Sequence, residues 1–121
     1  MKLRIAAATL NQTPLDWPGN LRRIRQAIEQ ARQQEVQLLL LPELCLTGYG
    51  CEDVFHAEQL HDYAWKQLLS LLPLTNEMVV VLGVPLRVRK QTYNAAALLV
   101  HQQLVGLVCK QTLPQHDLFY E

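Results

Sequence analysis

The apolar run from Val36 to Leu41, stopped by Pro42 and followed at once by Glu43, constrains the fold more than any other stretch of this chain. It is too short for a helix of its own, and Pro42 cannot continue one. A run of this kind reads as a strand buried on both faces, which belongs in a helix-covered sheet. Residues 3–9, LRIAAAT, read as a second buried strand. The stretch NQTPLDWPGN is loop chemistry, dense in Pro, Asn, Asp and Gly. Leu21, Ile24, Ala27, Ile28 and Ala31 then recur at helical spacing, with Asn20 as the expected N-cap. A second helix is expected from about His56 to Leu72, ended by Pro73.

Further strands are expected at Met78–Val84, Tyr93–Val100 and Leu104–Cys109, the last two joined by the turn His101-Gln102-Gln103. The order β-α-β-α-β-β-β predicts an α/β layered fold with a mixed sheet and a closing hairpin. Two helices can cover one face of a five-stranded sheet and leave the other bare. A bare apolar face, on a chain that stops at Phe119-Tyr120-Glu121, suggests a fragment of a longer protein or an obligate oligomer.

The composition supports a core. The 121 residues fit one domain, half of them hydrophobic and 18% charged. The net charge is zero, so nucleic-acid binding lacks its usual electrostatic footprint. No apolar run approaches a membrane span, and MKLRIAAATL reads as a strand rather than a signal peptide. Three cysteines, Cys45, Cys51 and Cys109, with no CxxC pair, argue against a disulfide framework and a structural zinc site. A reducing, cytoplasmic compartment is the expectation.

Glu43 follows a buried strand at what should be the carboxyl end of the sheet, where sites gather in open α/β folds. A carboxylate there suits a general base; it equally suits a turn cap or an Arg partner. Lys110 follows the strand LVGLVC in the same way. Beside a carboxylate it could stabilise developing negative charge; alone it is a solvated strand-end lysine. The cysteines are nucleophile candidates by type, but packing is the commoner role of small buried thiols. His56 and His61, five apart on the expected helix, face different ways and make a poor metal pair. His101 and His116 fall in turn and loop, and no phosphate-binding glycine pattern is present.

These residues resemble a known family. LLLLPELCLTGYGCEDVF is similar to the glutamate motif of the nitrilase superfamily, the carbon–nitrogen hydrolases, in the form found in the N-terminal glutaminase domain of glutamine-dependent NAD synthetases. YNAAALLVHQQLVGLVCKQTLPQHDLFYE resembles that family's lysine motif, and the likeness covers essentially the whole chain. The resemblance implies an α-β-β-α sandwich of which residues 1–121 form an N-terminal portion, and a Glu-Lys-Cys triad. Glu43 matches the base and Lys110 the lysine. The nucleophile of the family lies past the lysine motif, so none of Cys45, Cys51 and Cys109 matches it, and the chain alone is expected to be inactive.

Tyr49 matches a residue near the amide pocket, and Tyr120 and Glu121 match the family's FYE. The hairpin turn HQQ departs from the glycine the family often has there. The resemblance further implies glutamine as substrate and no cofactor for this domain. For a parent synthetase it implies ATP, Mg and deamido-NAD, with homo-oligomeric assembly. Two alternatives stand beside it: a stand-alone nitrilase-family amidase, and a non-catalytic half-domain that serves assembly.

Overall fold

A computed structural model describes residues 1–111, apart from the side chains of residues 52 and 53. The expected order of elements is present: β1 (Ile5–Ala7), α1 (Trp17–Gln33), β2 (Leu38–Leu40), α2 (Glu58–Ser70), β3 (Val79–Val88), β4 (Gln91–Val100) and β5 (Gln103–Cys109). One-turn 3₁₀ segments, Glu52–His56 and Leu72–Thr75, flank α2. Pro73 sits at the start of the second of these, where its missing N–H costs nothing.

The five strands lie side by side in chain order. β1, β2 and β3 are parallel, and β3, β4 and β5 are antiparallel. Two crossovers that step the same way along the sheet place both helices on the same face, as the common right-handed rule for such connections requires. That face is built by Leu39, Val80, Leu82, Ala97 and Leu99, which pack against Ile24, Ile28 and Ala31 of α1 and Ala64 and Leu68 of α2. The alternate residues of the strands face away from the helices. Among them Ile5, Leu40 and Val108 remain 64, 52 and 62% exposed. This is a mixed sheet with helices on one face, as the sequence pattern predicts. Among the described residues no helix is long and apolar enough to cross a membrane.

Helix α1 begins four residues before the expected start. Asp16, not Asn20, is its N-cap, and Asp16 Oδ1 accepts from the Gly19 amide at 3.2 Å. Pro18 occupies the first turn, where proline is tolerated. Asn20 is instead fully buried inside the first turn. Its Nδ2 donates to the carbonyls of Thr13 and Leu46, and its Oδ1 accepts from the Thr13 amide and from Arg23. A capping residue and a buried tether look alike in sequence, because both need a short polar side chain. The tether wins here because the loop after β2 must be tied down.

The hairpin strands run longer than expected, with ten residues each in β3 and β4. Both hairpin turns take two residues in the left-handed region: Arg89 and Lys90 (φ 50° and 68°), and His101 and Gln102 (φ 46° and 69°). The HQQ turn therefore keeps hairpin geometry without glycine. Tertiary hydrogen bonds hold it: Gln102 N donates to Thr75 Oγ1 at 2.9 Å, and Glu77 N donates to His101 Nδ1 at 3.1 Å. The Arg89-Lys90 turn has no comparable support among the described hydrogen bonds. Lys90→Gly should therefore stabilise the protein by about 1 kcal/mol, by removing a left-handed non-glycine residue. Urea denaturation of the two proteins checks this; an unchanged or lower midpoint would count against it.

Candidate active site

β2 and β5 end at the same edge of the sheet, because β5 runs parallel to β3 and so to β2. They are separated by β3 and β4, three inter-strand steps or about 14 Å. For a residue after β2 to meet one after β5, the chain leaving β2 must cross over β3. It does so at Gly83. A Cβ there would lie 2.1 Å from the Leu44 nitrogen and 2.7 Å from the Glu43 carbonyl carbon. No side chain fits, so only glycine lets the backbone pass this close. Gly83 N donates to the Pro42 carbonyl at 3.2 Å, and Leu41 N to the Val81 carbonyl at 2.8 Å, which extends the β2–β3 contact to the crossing.

Beyond the crossing Glu43 meets Lys110. Lys110 Nζ lies 3.0 Å from Glu43 Oε1, with the two side chains 39% and 41% exposed. An ion pair this exposed contributes little to stability. Its interest is chemical, since a carboxylate and an ammonium are held together at the mouth of an open cleft of about 530 Å³. Leu40, Val81, Ala96 and Val108 form its apolar wall, continuous with the uncovered sheet face. Asn94 on β4 completes the group. Its Nδ2 donates to Glu43 Oε1 at 2.5 Å, and its carbonyl accepts from Lys110 N at 2.8 Å. Sequence reasoning passed over Asn94. The available signal was a polar residue in an otherwise apolar strand, YNAAALLV, two strands from the glutamate.

The loop that carries Glu43 is built against its own backbone preference. Leu44 has φ 50°, a cost of about 1–2 kcal/mol for a residue with a Cβ. The side chain offsets this by full burial, with Cys51, Phe55 and Leu60 around it and Trp17 alongside. Gln12 adds a tether, donating through Nε2 to the carbonyls of Cys45 and Asn20 at 2.7 and 3.1 Å.

The cysteines divide as packing predicts. Cys45 is buried in the main core, with Sγ 3.7 Å from the Gly83 carbonyl. Burial pushes its thiol from an ordinary 9.0 up to about 12. Burial also raises the Cys51 thiol, whose Sγ lies against the Thr47 and Gly48 carbonyls. Neither is a poised nucleophile. Cys109 is partly buried, lines the cleft beside Lys110, and packs against the core.

Tyr49 is 38% exposed in the loop after β2 and is not among the residues lining the cleft. His56 lies in the 3₁₀ turn, exposed, while His61 is buried with Nε2 2.6 Å from the Phe55 carbonyl. His101 belongs to the hairpin turn and accepts from Glu77 N. Tyr120, Glu121 and His116 lie outside the described residues.

The pattern of the family described as carbon-nitrogen hydrolase matches residues 4–119. The chain belongs to the carbon–nitrogen hydrolase family. It is 34% identical over 106 residues to a glutamine-dependent NAD(+) synthetase of Drosophila melanogaster, covering 86% of this chain and 14% of that protein. Among solved structures it resembles a glutamine-dependent NAD(+) synthetase from Cytophaga hutchinsonii, with a TM-score of 0.92 and 39% identity. That match covers 93% of this chain and 20% of the other. An amidase from Nesterenkonia sp. superposes with a TM-score of 0.84 at 26% identity, covering 96% of this chain and 45% of the amidase. The chain thus spans a small part of the synthetases it matches and just under half of the amidase.

Two outcomes are expected. Gly83→Ala should force the Glu43–Leu44 backbone off β3, destabilise the protein by about 1–3 kcal/mol, and separate Glu43 from Lys110. Denaturation together with a structure of the variant would test both, and an undisturbed ion pair would sink the argument. The raised Cys45 thiol has a pH consequence. Unfolded, Cys45 ionises above 9.0, whereas folded it stays protonated to about 12. Its contribution is therefore complete below the unfolded value and lost as pH climbs through this range. Stability measured in urea should fall across it, and the fall should be shallower in Cys45→Ala; equal slopes would refute the assignment.

Proposed function

We propose that this chain supplies the base and the lysine of a glutamine-hydrolysing active site in a glutamine-dependent NAD synthetase. The ammonia released would serve ATP-dependent amidation of deamido-NAD. The Glu43–Lys110 pair at an open cleft carries this reading, in a chain whose relatives are synthetases of that name. Residues 1–121 act as an N-terminal portion of the hydrolase domain, and the nucleophilic cysteine comes from sequence beyond them. The uncovered sheet face, on which the cleft opens, receives the rest of the α-β-β-α sandwich.

The chemistry follows from the charges. Glu43 takes the proton of the incoming thiol, and the sulfur forms a bond to the amide carbon of glutamine. The carbonyl π pair moves to oxygen, and the Lys110 ammonium faces the resulting oxyanion. Collapse of the intermediate breaks the C–N bond, and the proton held by Glu43 goes to the departing ammonia. Water then attacks the thioester, again with Glu43 taking its proton, and the thiol and glutamate are released.

Tyr49 and Tyr120 are assigned to substrate binding on the strength of the family likeness. ATP and Mg belong, in this reading, to a synthetase domain. Among the described residues no three His, Cys, Asp or Glu side chains converge as metal ligands. A cytoplasmic location and homo-oligomeric assembly complete the proposal, the former resting on three unpaired cysteines.

The test is glutamine-dependent ammonia release by the full-length gene product. Glu43→Gln should lower turnover about 10²–10⁴-fold, as for loss of a general base. Lys110→Met should lower it about 10²–10³-fold. The 121-residue chain alone should show no steady turnover. Full activity in either variant, or sustained hydrolysis by the chain alone, would overturn the reading. The amidase likeness favours a second reading, hydrolysis of a simple amide with no synthetase step. ATP-independent cleavage of short aliphatic amides, with no NAD formed, would select it. The higher identity to the Cytophaga hutchinsonii synthetase, 39% against 26%, favours the first.

A further inference from the structure

We propose that Asn94 is a positioning residue for Glu43, and that by occupying Oε1 it makes Oε2 the atom that accepts the proton. The inference rests on the role given to Glu43 above and names a residue and an atom that the family likeness did not supply.

Three contacts argue for it. Asn94 Nδ2 donates to Glu43 Oε1 at 2.5 Å, and Lys110 Nζ reaches the same oxygen at 3.0 Å. Both donors described for the carboxylate therefore fall on one oxygen. An ionised carboxylate has about four lone-pair sites, two on each oxygen. Two donors fill Oε1, and among the described residues none is directed at Oε2. Among the described residues this leaves Oε2 as the oxygen open to the proton of an incoming acid. The third contact joins the two partners: the Asn94 carbonyl accepts from Lys110 N at 2.8 Å. One residue thus holds the base through its side chain and the cation through its main chain.

A merely structural amide would be expected to behave differently. Asn94 is only 5% exposed, and its donor needs a partner for that reason alone. Glu43, at 41% side-chain exposure, does not need Asn94 to escape a burial penalty. What it lacks is an orientation, since an exposed glutamate side chain rotates freely among its rotamers. The amide removes that freedom, and its own aim is set by β4, whose neighbours are registered on both sides: Pro85 opposite Asn94, and Cys109 opposite the adjacent Ala95. A general base on a loop is thereby referenced to the interior of the sheet.

Two measurements test this, one independent of catalysis. In the 121-residue protein, the Asn94 side-chain amide should show the largest shift among the Asn and Gln amides when Glu43→Leu is compared with the parent by ¹H–¹⁵N NMR. An Asn94 amide unmoved by that substitution would refute the contact. In the full-length gene product, Asn94→Leu keeps the branch at Cγ but removes the donor. It should lower kcat about 10–100-fold, the scale of a misplaced reacting group, with KM for glutamine changed less than about threefold, while the bulkier side chain at a buried site lowers the melting temperature. Asn94→Ser, which retains a donor, should recover part of kcat. A parent-like kcat in Asn94→Leu, or a loss of kcat matched by an equal rise in KM, would refute positioning. If the parent itself hydrolyses no amide, the functional reading fails, while the NMR result still decides whether Asn94 orients Glu43.

Discussion

The structure depends on one close approach, where the backbone leaving β2 passes over β3 at Gly83. Sheet geometry holds the ends of β2 and β5 about 14 Å apart, farther than a glutamate and a lysine can bridge if each stays over its own strand. The crossing shortens that gap, and it is possible only because position 83 has no Cβ to meet the Leu44 nitrogen. From it follow the placement of Glu43 beside Asn94 and Lys110, the location of the cleft, and the burial of Cys45 beneath the turn.

A loop that crosses a sheet edge has to be held down, and the chain uses three means. Leu44 accepts a left-handed backbone in exchange for a fully buried side chain. Asn20 and Gln12 satisfy the loop carbonyls at Leu46 and Cys45 from α1 and the segment before it. Asp16 starts α1 early enough to bring Asn20 within reach. Rigid support beneath a mobile class of side chain is what a general base requires, because misplacement by an ångström costs rate steeply. Local strain at Leu44 beside the candidate base fits the tendency of such strain to gather at functional sites.

The uncovered sheet face and the cleft are one surface. Leu40, Val81, Ala96 and Val108 belong to both. In the proposed reading, whatever covers this face also closes the cleft, and the Glu43–Lys110 pair is desolvated in the same step.

Much of this was legible in sequence. The apolar run into Pro42, the helical spacing of Ile24, Ile28 and Ala31, and the sequence LVGLVC before Lys110 specify strands, a helix face and two strand ends, because burial imposes a period on each element. That period places Glu43 and Lys110 directly after two strands. Asn20 was misread as a cap because a cap and a tether demand the same side chain. Asn94 was passed over because strand alternation says which face a residue takes, not which loop arrives there. Local periodicity determined the elements and their order. Only the tertiary structure decided that the glutamate, the lysine and Asn94 meet, since that depends on a contact between residues 43 and 83, forty positions apart, which no local pattern encodes.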